Sequence, residues 1–347
     1  MGKVKYTEED LQNAAITFKN DLTAIPVLSI SETTKFMHVQ TGVRFEELVG
    51  AKSTNAKFRP RGKGGKKADD VDLNLLLRKL KTYVGELTAN FDPNQTIQTI
   101  IGHKASQASG DELETTASAQ EVLALIAKDA SEDLIYVLWM GELDPTSDDP
   151  EALFDGFDTI TIQEISAGEI SEKKGNLLKI NETITVDNIM SVCERIIDAM
   201  NIRLRRQDCF LFCPQWFADM YNRAYKKESA GISYNDKYEQ VYVEGSNKKL
   251  TLAPVEGKEG SQFFHISPKI NMLVGCDQES DLDNVKVKEY QPRILTMLMD
   301  LIMGVQFRCI HSSQLLVVQH TTRVEKPILP SKLKDELIPD DETTDEP

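Results

Sequence analysis

Three groups of residues in this chain have types that could do chemistry. The first is the run DQESDLD, whose carboxylates Asp277, Glu279, Asp281 and Asp283 could converge on a divalent cation. A calcium loop of the EF-hand kind needs a central glycine and a closing bidentate Glu, and neither stands here. A solvated turn is the simpler expectation. The second group is the five histidines, His38, His103, His265, His311 and His320. They are scattered singly, with no HExxH spacing and no Cys/His pair at helical distance. Each is expected on the surface or as a satisfied core residue. The third group is the five cysteines, an odd number without metal-ligand spacing, which read as reduced thiols in a cytosolic setting. Cys193, on the apolar face of a predicted helix, reads as a core thiol. No GxSxG elbow is present. No catalytic residue, metal-ligand set or cofactor site can be named. The enzyme alternative is a cytosolic metal-dependent one built on residues 277–283.

A different kind of chemistry, charge recognition, is carried by KFRPRGKGGKKADD. From Lys52 to Lys67 there is no acidic residue, while Lys52, Lys57, Arg59, Arg61, Lys63, Lys66 and Lys67 are basic. Gly62, Gly64 and Gly65 make the segment pliable. The Walker pattern fails, because no Gly-Lys-Ser/Thr opens a helix. Three readings stay open: a solvated hairpin tip, a phosphate-gripping loop, and a basic projection that lies on an acidic neighbouring copy.

These residues must be positioned by a chain of 347 residues, long enough for two domains or for one with large insertions. Apolar content of 40% and charged content of 27% are those of a globular protein with a sizeable core. The net charge of -15 argues against sequence-independent nucleic-acid binding, which draws its affinity from Lys and Arg. No apolar span is long enough for a membrane anchor, and MGKVKYTEED lacks the apolar core of a signal peptide.

The elements follow from periodicity. Residues 1–35 carry an amphipathic patch (Leu11, Ala14, Ala15, Phe18, Leu22) that Pro26 terminates, as in an arm that packs on something else. Residues 36–92 read as two extended limbs joined by the basic tip. Residues 112–141 form the best helix of the first half. Its stripe runs from Val122 to Leu138, Ser118 and Glu121 have capping-box spacing, and Gly141 ends it. Residues 142–150 are a linker, and LFDGFDTI opens a new unit. A second helix carries Ile189, Val192, Cys193, Ile196 and Met200 on one face, with Thr185 as its expected N-cap. CFLFC is a short buried strand, Pro214 starts a third helix with Phe217, Met220, Tyr221 and Ala224 inward, and LTLAPV is another strand. From Asn271 to Val318 the apolar residues must be buried against partners outside that stretch. The tail 331–347 is acidic and expected to be disordered.

That order is arm, long hairpin with a charged tip, strut helix, compact α/β unit and return to long strands. It resembles the Hong Kong 97-type major capsid protein of tailed bacteriophages, a fold also used by encapsulin shells. CFLFCPQWFADMYNRAY looks like the family's strand-then-helix, and NMLVGCDQESDLDNVKV like its return from axial to peripheral domain. In flavour the chain is similar to capsid proteins from phages of gut Bacteroidetes. The resemblance implies an α+β fold with an N-terminal arm at 1–35 and an extended loop at 36–92. It places a peripheral domain at 93–150 and 276–330 with spine helix 112–141, and an axial domain at 151–275. On this ground Ile294–Ile310 is expected to be a strand, although Leu295, Leu298, Met299 and Ile302 also fit a helix. The resemblance further implies a self-assembling subunit of an icosahedral head enclosing double-stranded DNA without gripping it, built from hexamers and pentamers in the bacterial cytoplasm. Portal, scaffolding and head-decoration proteins are the implied partners, with no membrane. An encapsulin-like compartment is the alternative. Lys57, Arg59, Arg61, Lys63, Lys66 and Lys67 are the candidate contacts between subunits. Many relatives begin with a cleaved scaffolding region, for which the chain has little room before the arm. Separate scaffolding or an already mature chain is expected. Some relatives crosslink a loop lysine to a neighbour's asparagine; no such bond is expected here, because no partner can be named.

Overall fold

The computed structural model describes residues 31–54, 73–91, 126, 128, 132–228, 241–277, 285–291 and 294–322. The arm before residue 31, the Ser118–Glu121 cap, the carboxylates Glu279, Asp281 and Asp283 and the tail 331–347 lie outside the described residues.

An apolar run that fits both periods takes the form that satisfies its backbone and buries its side chains. β11 (Ile294–Phe307) is a strand because it is bonded along both edges. Along one edge runs β4 (Tyr83–Phe91), antiparallel, with Phe91 opposite Leu295 and Tyr83 opposite Met303. Along the other run β9 (Met272–Cys276) and β10 (Val285–Gln291) in succession, Met272 opposite Phe307 and Val285 opposite Met299. Met303 pairs with Tyr83 and with Cys276, which places β4 and β9 on opposite sides. β1 (His38–Thr41) completes this first sheet, parallel to β9.

Between β1 and β4 the chain makes a separate antiparallel ribbon, β2 (Glu46–Thr54) and β3 (Leu73–Lys81), with Glu46 opposite Lys81 and Thr54 opposite Leu73. β3 reaches β4 by crossing the face of β11. A Cβ on Gly304 would stand 2.0 Å from the carbonyl oxygen of Lys81, so the crossing needs a residue without one.

The second sheet is mixed and runs in the order β5 (Leu177–Ile180), β12 (Leu316–His320), β8 (Phe263–Ser267), β6 (Cys209–Cys213), β7 (Leu250–Pro254). Successive side chains on a strand face opposite ways, and here both faces are covered. Phe212 and Val317 face a core with Leu138 and Trp139 of α1 (132–140) and with Phe157 and Ile160 of α2 (Phe157–Ser166). Leu211 and Val318 face the other core. It holds Val192 and Ile196 of α3 (Ile189–Ala199), with Phe217 and Tyr221 of α4 (Gln215–Glu228). CFLFC shows no alternation of polarity because neither of its faces meets water.

α3 starts four residues after the expected cap. Asn188 occupies the N-cap position, and its side chain turns back, accepting from the Thr185 N–H at 2.8 Å and donating to the Thr183 carbonyl at 2.9 Å. Residues 185–188 are thus a closed turn ahead of the helix rather than its first turn. The described end of α1 agrees with the expected stop, since Gly141 donates its N–H to the Val137 carbonyl at 3.0 Å.

The chain passes between the two sheets from β4 to β5, from β8 to β9 and from β11 to β12, and the last two passages lie together. Buried Asn271 ties both passages together. Its Oδ1 accepts from the Cys309 N–H at 2.8 Å, and its Nδ2 donates to Ser267 Oγ at 2.9 Å and to the Gln314 carbonyl at 3.3 Å.

Gly304→Ala tests the crossing. The new methyl can be accommodated only by moving backbone, at a cost of about 2–3 kcal/mol. The midpoint of urea unfolding should fall accordingly, and an unchanged midpoint would show that β3 does not press on β11.

Candidate functional site: a reaching ribbon and a buried ionic cluster

The six basic candidates, Lys57, Arg59, Arg61, Lys63, Lys66 and Lys67, lie outside the described residues, but the ribbon that carries them is described. Nine residues per strand at ~3.4 Å each make it about 30 Å long. Val49 and Leu80 on one ribbon face are buried with Val43 and Leu273 of the first sheet. The other face, with Leu48 opposite Lys79 and Leu77 opposite Gly50, is open: Leu48 is 60% exposed and Leu77 52%. Phe45 just before the ribbon is 76% exposed. Leu48 and Leu77 thus leave apolar surface open on this face.

The ribbon is pinned at its root. Arg78 donates to Glu164 of α2 at 2.6 Å and to Gln306 Oε1 of β11 at 3.0 Å, and both charged side chains are mostly shielded from water. Gln306 Nε2 in turn donates to the Lys79 carbonyl at 3.2 Å, and Thr82 Oγ1 to the Val43 carbonyl at 3.1 Å. A projecting element held this way keeps its direction.

Of the acidic turn, Asp277 is described, and Arg44 Nε lies 3.2 Å from its Oδ2. Among the described residues no group of three His, Cys, Asp or Glu side chains could hold a metal ion. All five cysteines are buried and unbridged. Burial pushes the Cys193 and Cys209 thiols up to about 12, away from nucleophilic character.

The histidines separate by environment. His311 is exposed, with its Nδ1 3.0 Å from Ser313 Oγ, whereas His265 and His320 are buried, and His103 lies outside the described residues. His265 belongs to a cluster that no spacing announced. Lys258, wholly buried, places Nζ 2.8 Å from Asp158 Oδ1, 3.2 Å from Ser261 Oγ and 3.3 Å from His265 Nδ1, over the Trp139 ring at 4.3 Å. Three acceptors are what the three N–H bonds of an ammonium require. The Thr161 hydroxyl donates to the Phe157 carbonyl at 2.8 Å, so towards His265 Nε2, also at 2.8 Å, its oxygen accepts. The imidazole proton is thereby fixed on Nε2, and Nδ1 faces Lys258 as an acceptor. The partners come from residues 139, 158, 161, 258, 261 and 265, a set with no common period; only the fold collects them.

Lys258 and His265 are wholly buried. One groove, of about 380 Å³, is lined by Leu77, Tyr83, Asp155 and Glu164, and another, of about 530 Å³, by Lys174, Asn176, Arg308 and His311. Neither includes Lys258, Asp158 or His265.

The chain matches no protein-family model and no curated protein. Solved structures do match. A chain of the satellite phage P4 procapsid, in a structure that includes the size determination protein, is 13% identical with a TM-score of 0.52, covering 87% of this chain and 98% of that one. Weaker likenesses include Microbacterium phage Oxtober96, 10% identical at a TM-score of 0.47 over 83% of this chain and 90% of that one. Another is the holo-SrpI encapsulin complex of Synechococcus elongatus, 9% identical at 0.45 over 83% and 86%. The chain has the Hong Kong 97-type capsid fold. At such identity the likeness is one of backbone path, and residue roles in this capsid fold rest on the contacts above.

Those contacts give the capsid fold a definite response to acid. Burial holds His265 well below its usual 6.5 and His320 down at about 4, and the Lys258 charge acts in the same direction on both. The unfolded chain therefore takes up protons first as pH falls. Stability is complete above about 6.5 and is lost progressively from there towards about 4. The melting midpoint should be lower at about pH 5 than at about pH 7.5, and His320→Phe should make that dependence shallower whatever its absolute midpoint. Equal slopes for the two proteins would contradict this assignment.

Proposed function

We propose that this chain is the major capsid protein of a phage or prophage head, a structural subunit that works by tiling with copies of itself. The observation that carries the proposal is the match of backbone path to a procapsid chain over nearly its whole length. The open apolar face of an anchored ribbon supports it, because a face of that kind is at rest only when covered. Shell contacts are heterologous and must close into rings and a cage, and reaching limbs extend them beyond the compact body. In this reading 36–92 is the extended loop, 93–150 with 276–330 the peripheral domain and 151–275 the axial domain. The first sheet belongs to the periphery and the second to the capsomer centre. β9, from Met272, pairs within the first sheet and β12, from Leu316, within the second, so the long return shares its strands between them.

Lys57, Arg59, Arg61, Lys63, Lys66 and Lys67 would meet acidic surface on a neighbour, which a chain of net charge -15 supplies. The same acidity suits a container for DNA whose lining should not hold phosphate. The subunit performs no catalysis, assembles in the bacterial cytoplasm with portal, scaffolding and decoration proteins, and resides in the virion.

Negative-stain microscopy of the purified protein should show cages, rings or tubes. Replacing the six basic residues by Ser should abolish or strongly slow their formation and leave the melting midpoint unchanged, since rim charges set association rates more than stability. Free subunits should bind DNA more weakly than about micromolar even at low salt. A chain that stays monomeric under every assembly condition refutes the proposal. Particles enclosing a docked cargo protein in place of DNA would identify an encapsulin-like compartment.

A further inference from the structure

The Lys258 cluster is assembled from every layer of the molecule. Trp139 comes from α1, Asp158 and Thr161 from α2, Lys258 and Ser261 from the β7–β8 connection, and His265 from β8 of the second sheet. Phe307 of β11 brings in the first sheet, with its ring centroid 5.5 Å from His265 and 5.1 Å from Phe157. The cluster thus bonds α2 and the β7–β8 connection to the second sheet and meets the first through a tilted ring contact at the seam between them.

A buried ion pair is a poor source of stability. It gives up hydration that mutual attraction about repays, and well-packed apolar residues in its place are often neutral or stabilising. An apolar seam, however, has no preferred direction: its rings and methyls tolerate sliding. The ammonium tolerates none, because Asp158, Ser261 and His265 must each stand near 3 Å in three different directions. His265 can accept only in the tautomer that Thr161 imposes. Although Asp158 Oδ2 and Trp139 Nε1 have no hydrogen-bond partner, the three answered N–H bonds of the ammonium favour one packing among several of similar energy.

We propose that the Lys258–Asp158–His265 cluster is an orientation lock, which fixes how α1 and α2 sit on the second sheet and so sets the one subunit shape that a regular shell requires. Only the last clause rests on the shell reading.

Two double variants test the lock, Lys258→Met/Asp158→Leu, which is apolar, and Lys258→Gln/Asp158→Asn, which keeps shape without charge. The single variants Lys258→Met and Asp158→Leu should each melt well below wild type, because each leaves its former partner buried and uncompensated. At least one double variant should recover to within about 4 °C of wild type. In that folded double variant, amide hydrogens of 132–140 and 263–267 should exchange at least about 10-fold faster than in wild type, as the seam samples more than one setting. Its particles should be mixed in diameter or malformed where wild type gives one size. Failure of both double variants to fold overturns the proposal, since the pair would then be holding the chain together. Wild-type exchange rates in a folded double variant also overturn it, and so does a single particle size equal to wild type. If wild type itself forms no particles, the shell reading fails, while melting and exchange still decide the lock.

Discussion

The strand Ile294–Phe307 is paired along one edge from Leu295 to Met303 and along the other from Ile294 to Met299 and from Met303 to Phe307, and the rest of the molecule is arranged around that constraint. A buried strand must have every N–H and C=O answered. Here the answers come from β4, far back in the sequence, and from β9 and β10, immediately before. β4 brings the ribbon with it, and β9 and β10 share the opposite edge in succession. Gly304 sits where the ribbon's return crosses the strand, so one missing methyl decides whether the reaching limb can leave the body.

The second consequence is a chain that must pass between sheets twice at one place. Asn271 answers the backbone at both passages with a single side chain. Next to them lies the seam, where aromatic residues of both sheets and α2 meet around an ammonium. Its ammonium is bonded to Asp158, Ser261 and His265 out of contact with water. The groups that could meet another molecule are at the opposite extreme: Phe45, Leu48 and Leu77 on the ribbon, standing in water on a root clamped by Arg78.

This separation of a rigid interior from an anchored, sticky limb suits a protein whose work is done between copies. A limb that pointed freely would lose the ordering entropy of every contact it made, whereas one fixed at its root loses that of the tip alone. In the proposed tiling, acidity over the chain with one basic tip adds direction to the encounter.

Much of this was legible in the residues themselves. The inward stripes of α3 and α4, the double-sided burial of CFLFC and the stop at Gly141 follow from local periodicity and backbone chemistry, which need no distant partner. The burial of Cys193 followed from its apolar helix face in the same way. The start of α3 was misplaced because Thr185 and Asn188 are both good capping residues, and only the closed turn decides between them. The long run in β11 was undecidable by pattern, because Leu295, Leu298, Met299 and Ile302 fit a helix as well. Its form was set by strands up to about two hundred residues away. The ionic cluster left no trace in the sequence at all: Asp158 and Lys258 are a hundred positions apart, and each alone reads as a surface charge. Local spacing records what neighbours along the chain require of one another. Which edge a strand finds, and which charges lose their water together, is decided only when distant segments compete for the same space.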